Sequence, residues 1–271
     1  MKTHVLVVLV GAAAAVADAG SVIHSFYLSG NVTPVGSSVY RDAAGTYVYG
    51  VFYTGSGAQL RTYSAYGTLY GSLPLAGSTG NPIDAGDSLL GTSYIGVLDG
   101  GAWLRTYELA TGSLVASALF PTSKGYDCDR TAGYAYFSRD NNVYQYNAAG
   151  SMVHSFSGGS DAGTLAFARY YNGLPGNYVV VMPSAMGNHP CGVFTAAGSA
   201  VGTFTFSGPY PNMDIRGGAS CGAGAPTSYG DTLWVMVAPE FMYRRAFQVD
   251  LGNGGIAVVP VSLGAIRAIY R

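Results

Sequence analysis

Apolar and polar residues alternate along this chain in short β-type runs of four to six residues, each bounded by Gly, Asn, Asp or Ser. Five such runs are dense enough to be central strands: Tyr47-Val48-Tyr49-Gly50-Val51-Phe52, Tyr94-Ile95-Gly96-Val97-Leu98, Tyr134-Ala135-Tyr136-Phe137, Tyr178-Val179-Val180-Val181-Met182 and Leu233-Trp234-Val235-Met236-Val237. A weaker strand precedes each, predicted at residues 37–41, 88–90, 128–131, 164–168 and 214–219. After residue 20 and before the last ten residues, no stretch shows the 3.6-residue periodicity of an amphipathic helix.

The runs are organised by a repeat. Leu60-Arg61-Thr62-Tyr63 recurs as Leu104-Arg105-Thr106-Tyr107, and each copy leads through a turn into Gly-Thr-Leu or Gly-Ser-Leu. The same turn-then-strand unit appears in Tyr146-Asn147-Ala148-Ala149-Gly150-Ser151 and in Phe194-Thr195-Ala196-Ala197-Gly198-Ser199. Its strand half alone follows residue 19, as Gly20-Ser21-Val22-Ile23-His24-Ser25-Phe26. The marker glycines at 20, 67, 112, 150 and 198 are spaced by about 45 residues, the period of four-stranded propeller blades. Four outer strands follow the last four markers. The N-terminal strand at 21–28 is predicted to supply the fifth by pairing near residues 244–249, so that the chain ends close the ring and remove its open seam. The expected fold is all-β, a single propeller of five blades over residues 20–255. A further candidate strand at 256–259 keeps six blades as the alternative.

On these strands, of the form Gly-Ser-Val/Leu-x-x-Ser-Phe, and on their period, the chain resembles the secreted β-propeller repeat proteins of bacteria with NHL-like or YVTN-like blades. The resemblance implies architecture; such proteins bind ligands, scaffold surfaces or, in some cases, catalyse.

Composition fits that picture and narrows it. Forty Gly, 22 Tyr and 11 Phe with 10 % charged residues suit pleated, packed strands better than helices. A net charge of −1 gives no footprint for nucleic acid or an anionic membrane. Residues 1–19 have the form of a signal peptide: Lys2, an apolar stretch from Val5 to Val16, then Ala17-Asp18-Ala19 as the cleavage pattern. The stretch is shorter than the roughly 20 residues of a span, which disfavours an uncleaved anchor. No membrane span is expected after cleavage, and the protein is expected at the cell surface or outside the cell. Residues 256–271 break the repeat and read as a C-terminal tail for docking, sorting or partner binding. Cys191 and Cys221 fall in neighbouring repeats and are a candidate disulfide pair, with Cys128 left over. No Cys/His cluster of zinc spacing occurs.

Candidate chemistry is sparse. Gly218-Ala219-Ser220-Cys221-Gly222 matches the GxSxG nucleophile pattern, but loop residues follow where a helix is needed, and no histidine lies downstream. His24 and His154 share one position of the repeat, and His189 stands in a loop without partners in sequence. Asp84, Asp127, Asp161 and Asp214 each fall at the start of a repeat, with Val35-Gly36 in their place in the first. As the first strand of a blade lines the channel, these four are candidates for a ring at its mouth. Such a ring would bind sugar hydroxyls or a hard cation such as Ca²⁺; alternatively each Asp caps its own loop. Tyr66, Tyr170, Tyr171, Tyr210 and Tyr229, with a Phe-Ser-Gly-Pro-Tyr-Pro segment at 206–211, are candidate contact aromatics. The favoured function is a non-catalytic surface module that binds a glycan or protein, or self-assembles, without an obligatory cofactor. The alternatives are a subunit of an extracellular filament and a carbohydrate-active propeller enzyme. That enzyme would use two channel carboxylates, for which Glu108 and Glu240 are the only glutamates available as partners.

Overall fold

The computed structural model describes residues 19–20, 22–28, 33–42, 45–78, 81–100, 102–159, 162–183, 190–205, 213–220, 232–239 and 244–252. The described residues form twenty strands and no helix. Strand β1 (Val22–Tyr27) comes first in the chain. Blade 1 follows as β2 (Thr33–Asp42), β3 (Gly45–Tyr53), β4 (Ala58–Ser64) and β5 (Leu69–Pro74). Blade 2 is β6 (Pro82–Asp87), β7 (Tyr94–Asp99), β8 (Trp103–Glu108) and β9 (Leu114–Leu119). Blade 3 is β10 (Gly125–Asp129), β11 (Tyr134–Arg139), β12 (Asn142–Asn147) and β13 (Met152–Ser157). Blade 4 is β14 (Ala162–Tyr171), β15 (Leu174–Pro183), β16 (Pro190–Thr195) and β17 (Ala200–Thr205). The last strands, β18 (Met213–Ser220), β19 (Thr232–Pro239) and β20 (Arg245–Asp250), are completed as blade 5 by β1. The inner strands β2, β6, β10, β14 and β18 neighbour one another in a closed ring. The protein is a five-bladed β-propeller.

The expected closure is present. Strand β1 pairs antiparallel with β20, Val22 opposite Val249 and Tyr27 opposite Arg245. Two inner strands lie earlier in the chain than the sequence pattern predicts. Blade 2 opens with Pro82–Asp87 rather than 88–90, and blade 3 with Gly125–Asp129 rather than 128–131. These strands carry Asp and Gly, which strand propensity disfavours, and their partners are tertiary rather than local. Leu89 and Leu90, the apolar pair that drew the prediction, lie in a turn.

The marker glycines explain the repeat. All five have positive φ, from +70° at Gly112 to +95° at Gly20, a backbone state that L side chains resist. At Gly67 and Gly198 a second constraint applies. A Cβ at Gly67 would lie 2.5 Å from the Cβ of Phe26 in the preceding blade, and one at Gly198 equally close to that of Phe156. The repeated His-Ser-Phe strand is therefore a joint, its Phe seated on the turn of the next blade.

Five apolar clusters fill the five gaps between blades. The one between blades 5 and 1, for example, gathers Phe26, Trp234 and Met236 with Val48, Phe52 and Tyr63. Each fully buried aromatic or aliphatic side chain contributes roughly 1.5–3 kcal/mol of transfer free energy. The outer strands are exposed edges, and all six residues of β9 face solvent. Each pairs through a bulge at one repeated position, which bends the strand and interrupts its edge.

Candidate functional site

Two places hold candidate chemistry: the carboxylates near the propeller axis, and a cleft between blades 1 and 2.

Asp84 lies in β6 and Asp127 in β10, both inner strands, and both are buried. Asp84 Oδ1 accepts from the amide of Ala85 at 2.9 Å. Its Oδ2 accepts from the amide of Tyr126 in blade 3, at 2.9 Å, and from the hydroxyl of Thr164 in blade 4. Asp127 works in both directions around the ring. Its Oδ1 accepts from the amides of Asp87 in blade 2 (2.9 Å) and of Cys128 (2.8 Å), and its Oδ2 from that of Phe167 in blade 4 (2.6 Å). Each carboxyl thus ties three consecutive inner strands, Asp127 through backbone N–H groups and Asp84 through two backbone N–H groups and the Thr164 hydroxyl.

Ion pairs reinforce the same joints. Arg130 holds Asp87 at 2.6 Å between blades 3 and 2 and Arg169 holds Asp129 between blades 4 and 3, while a third pair, Arg105 at 3.2 Å from Asp99, braces blade 2 from within. Burial pushes the Asp84 carboxyl up to about 7, against hydrogen bonds that pull it down. Burial, then the charge of Asp87, pushes Asp127 well above the usual carboxylate range. Burial likewise raises the Cys128 thiol, which suppresses the thiolate that nucleophilic chemistry needs.

Glycines bring backbones close at this depth. In β2, Gly36 takes the register position that Asp84 takes in β6, each just after a bulge. A Cβ at Gly36 would overlap the backbone of Ala85. The missing aspartate of blade 1 has this physical reason: no side chain fits there.

The other sequence candidates separate. Asp214 lies in β18 with its backbone opposite Ala238, so it shares the inner ring with Asp84 and Asp127. Asp161, Cys221, His189, Glu240, Tyr210, Tyr229, residues 1–18 and the tail at 256–271 lie outside the described residues. Cys191 is buried in β16. Ser220 closes β18 opposite Leu233, with Gly218 and Ala219 in the same strand. His154 contacts the Ala197 carbonyl at 3.1 Å, and His24 packs edge-on to Tyr66. Both histidines belong to the blade joints. Among the described residues no group of three or more His, Cys, Asp or Glu is disposed to hold a metal ion.

The second place went unnoticed in the sequence. A cleft of about 560 Å³ opens between blades 1 and 2. One wall is Tyr49, Thr62 and Tyr70 of blade 1; the other is Thr92 and Ser93 with Glu108, Leu109 and Ala110 of blade 2. Backbone bonds hold the second wall in place. The Leu109 amide donates to Ser93 O at 2.9 Å, and the Ala76 amide, from the linker between the blades, donates to Gly112 O at 3.1 Å. Glu108 accepts from the Thr111 hydroxyl through Oε2, at 2.6 Å. The volume lies within the range of small-ligand sites.

No family model matches the chain, and no curated protein matches it. Solved structures do. The crystal structure of glutaminyl cyclase from Myxococcus xanthus superposes with a TM-score of 0.57 at 14 % identity, over 84 % of this chain and 94 % of that one. BBS1N, in complex with ARL6DN, matches with a TM-score of 0.45 at 13 % identity, over 85 % of this chain and 66 % of that one. The first likeness is one of fold.

Proposed function

We propose that this chain is exported and serves, without catalysis, as a binding or structural module at the cell surface. The observation that carries this reading is the engagement of Asp84 and Asp127. Both are buried, and their oxygens are spent on joining inner strands. A carboxyl that acts on substrate must touch it. The leader-like residues 1–19 and the near-neutral, hydroxyl-rich composition support placement at the surface. A ligand-sized opening among the described residues is lined by tyrosines and hydroxyls, as a recognition site would be.

A carbohydrate-active enzyme is the second reading. It is favoured by Glu108, whose carboxyl lines that opening, and by an architecture shared with an enzyme. Glycoside hydrolysis needs two carboxyls across the scissile bond, and the lining contributes this one. The test is turnover. Purified chain is incubated with soluble polysaccharides and with peptides bearing an N-terminal glutamine, followed by reducing-end and ammonia assays. No product above buffer is expected; turnover abolished by Glu108→Gln would overthrow the non-catalytic reading. Light scattering after size exclusion, with negative-stain microscopy, separates a binding monomer from a structural subunit.

A further inference from the structure

We infer that the cleft between blades 1 and 2 binds a pyranose ring of a neutral oligosaccharide, with Tyr70 as its stacking platform. This rests on the binding-module reading and gives it a site and a ligand class.

One place on the outer strand sets blade 1 apart from the other four. Every outer strand carries its bulge at the third residue after the marker glycine: Ile23, Tyr70, Val115, Val153 and Val201. Four blades place a β-branched aliphatic residue there. Blade 1 alone places an aromatic, and that aromatic, 61 % exposed, lines the cleft. A bulge re-aims the side chain it carries.

The next residue repeats the contrast. It is His24, Gly71, Ala116, His154 and Gly202 in blades 5, 1, 2, 3 and 4. At Gly202 the space above the backbone is filled, since a Cβ would lie 2.5 Å from the Tyr171 hydroxyl. In blade 2 the same cross-strand row contains Gly96, and there Tyr126 of blade 3 fills the gap, its ring 2.5 Å from a Cβ position. At Gly71 nothing lies within 4 Å. Gly71 pairs across the sheet with Thr62, which pairs with Tyr49. The row thus ends in open space beside an aromatic, where related rows are plugged by a tyrosine from the protein itself.

The chemistry of the walls selects the occupant. Thr62, Thr92 and Ser93 bring hydroxyls that both donate and accept, as sugar hydroxyls do. An aromatic with a polar tip stacks on the apolar face of a pyranose while its hydroxyl stays hydrated. Glu108 keeps Oε1 for an accepted bond, its Oε2 being taken by Thr111. Among the described residues no basic side chain lines the cleft, which disfavours an anionic ligand.

The test uses the full chain after leader removal and a panel of gluco-, xylo-, manno- and chito-oligosaccharides, by titration calorimetry and saturation-transfer NMR. Choline chloride probes the rival, a cationic ligand held by Tyr70 and Glu108. Tyr70→Val installs the residue type of the other bulges and should fold; Gly71→Val, in ordinary strand conformation, fills the gap. Binding by at least one oligosaccharide is expected, weakened at least tenfold by either variant and unchanged by Val153→Ala at the blade 3 bulge. Equal affinity in Tyr70→Val and Gly71→Val would overturn the site yet leave a binding module. Choline binding in place of sugar overturns the ligand class. Absence of binding across the panel overturns the inference, while the turnover assay judges the wider reading separately.

Discussion

Replacing Asp84 with Asn should make the protein less stable in acid and more stable in alkali. In the folded protein the carboxyl titrates at about 7, against 3.8 for its ordinary value, because burial disfavours the charge. The folded state therefore holds an extra proton between these values. Stability from this group is complete below about pH 3.8 and is lost as pH rises through 7. The slope within the window is about 1.4 kcal/mol per pH unit, and the full loss about 4 kcal/mol. Asparagine carries no such proton, but its Nδ2 cannot accept from the Tyr126 amide as Asp84 Oδ2 does. One buried donor is left unsatisfied, at roughly 1–3 kcal/mol. The two stability curves should cross between about pH 4.5 and 6, with Asp84→Asn ahead by about 1–3 kcal/mol at pH 8.5. Urea unfolding at half-unit pH intervals measures both curves. A constant gap between them, with the variant always below, would refute the reasoning and show an ionised tie of ordinary pKa.

The marker glycines give a paired prediction. Gly67→Ala meets both a φ of +88° and the Phe26 side chain, so it should cost roughly 2–5 kcal/mol. Gly150→Ala meets only a φ of +77°, with nothing within 4 Å, and should cost about 1–2 kcal/mol; thermal melts rank the two. Arg169→Met leaves the buried Asp129 carboxylate without its ion-pair partner and should cost about 3–5 kcal/mol in urea unfolding. A similar cost, about 3–5 kcal/mol, is expected for Phe26→Ala, which empties the contact with Tyr63 and Trp234. Under the proposed export, removal of residues 1–19 should leave a protein whose intact mass corresponds to a chain starting at Gly20.

What the sequence revealed, it revealed through local rules. A positive-φ glycine before each outer strand, an aromatic three residues beyond Ile23 or Val153, and central Val-Tyr runs all obey turn and strand chemistry within a few residues. Blade number and closure followed from counting them. The inner strands escaped because Pro-Ile-Asp-Ala-Gly-Asp in blade 2 looks like a loop until blades 3 and 4 supply the donors that Asp84 accepts. Asp84 and Asp127 read as a channel mouth because sequence places them on the inner strand but not which hydrogen bonds consume them. The cleft had a visible signal, a Tyr at 70 where equivalent repeat positions hold Val or Ile. That contrast stands out only when the repeats are set in register from the marker glycines.

The clasp between β1 and β20 also has a mechanical consequence. The strands run antiparallel, with Val22 beside Val249, so the chain leaves the pair in both directions from one end, at Gly20 and Gly252. Tension applied between those two exits pulls along the inter-strand hydrogen bonds, which lie perpendicular to the strands, rather than in shear across them. It loads the Val22–Val249 pair first, then the next, and the pair parts stepwise at low force instead of resisting as a unit. Were the pull taken instead between the Leu28 end of β1 and Gly252 at the opposite end of β20, the same bonds would be loaded together in shear. A propeller held by both ends is thus a ring with a release, and stretching would free β1 while blades 1 to 4 stay folded.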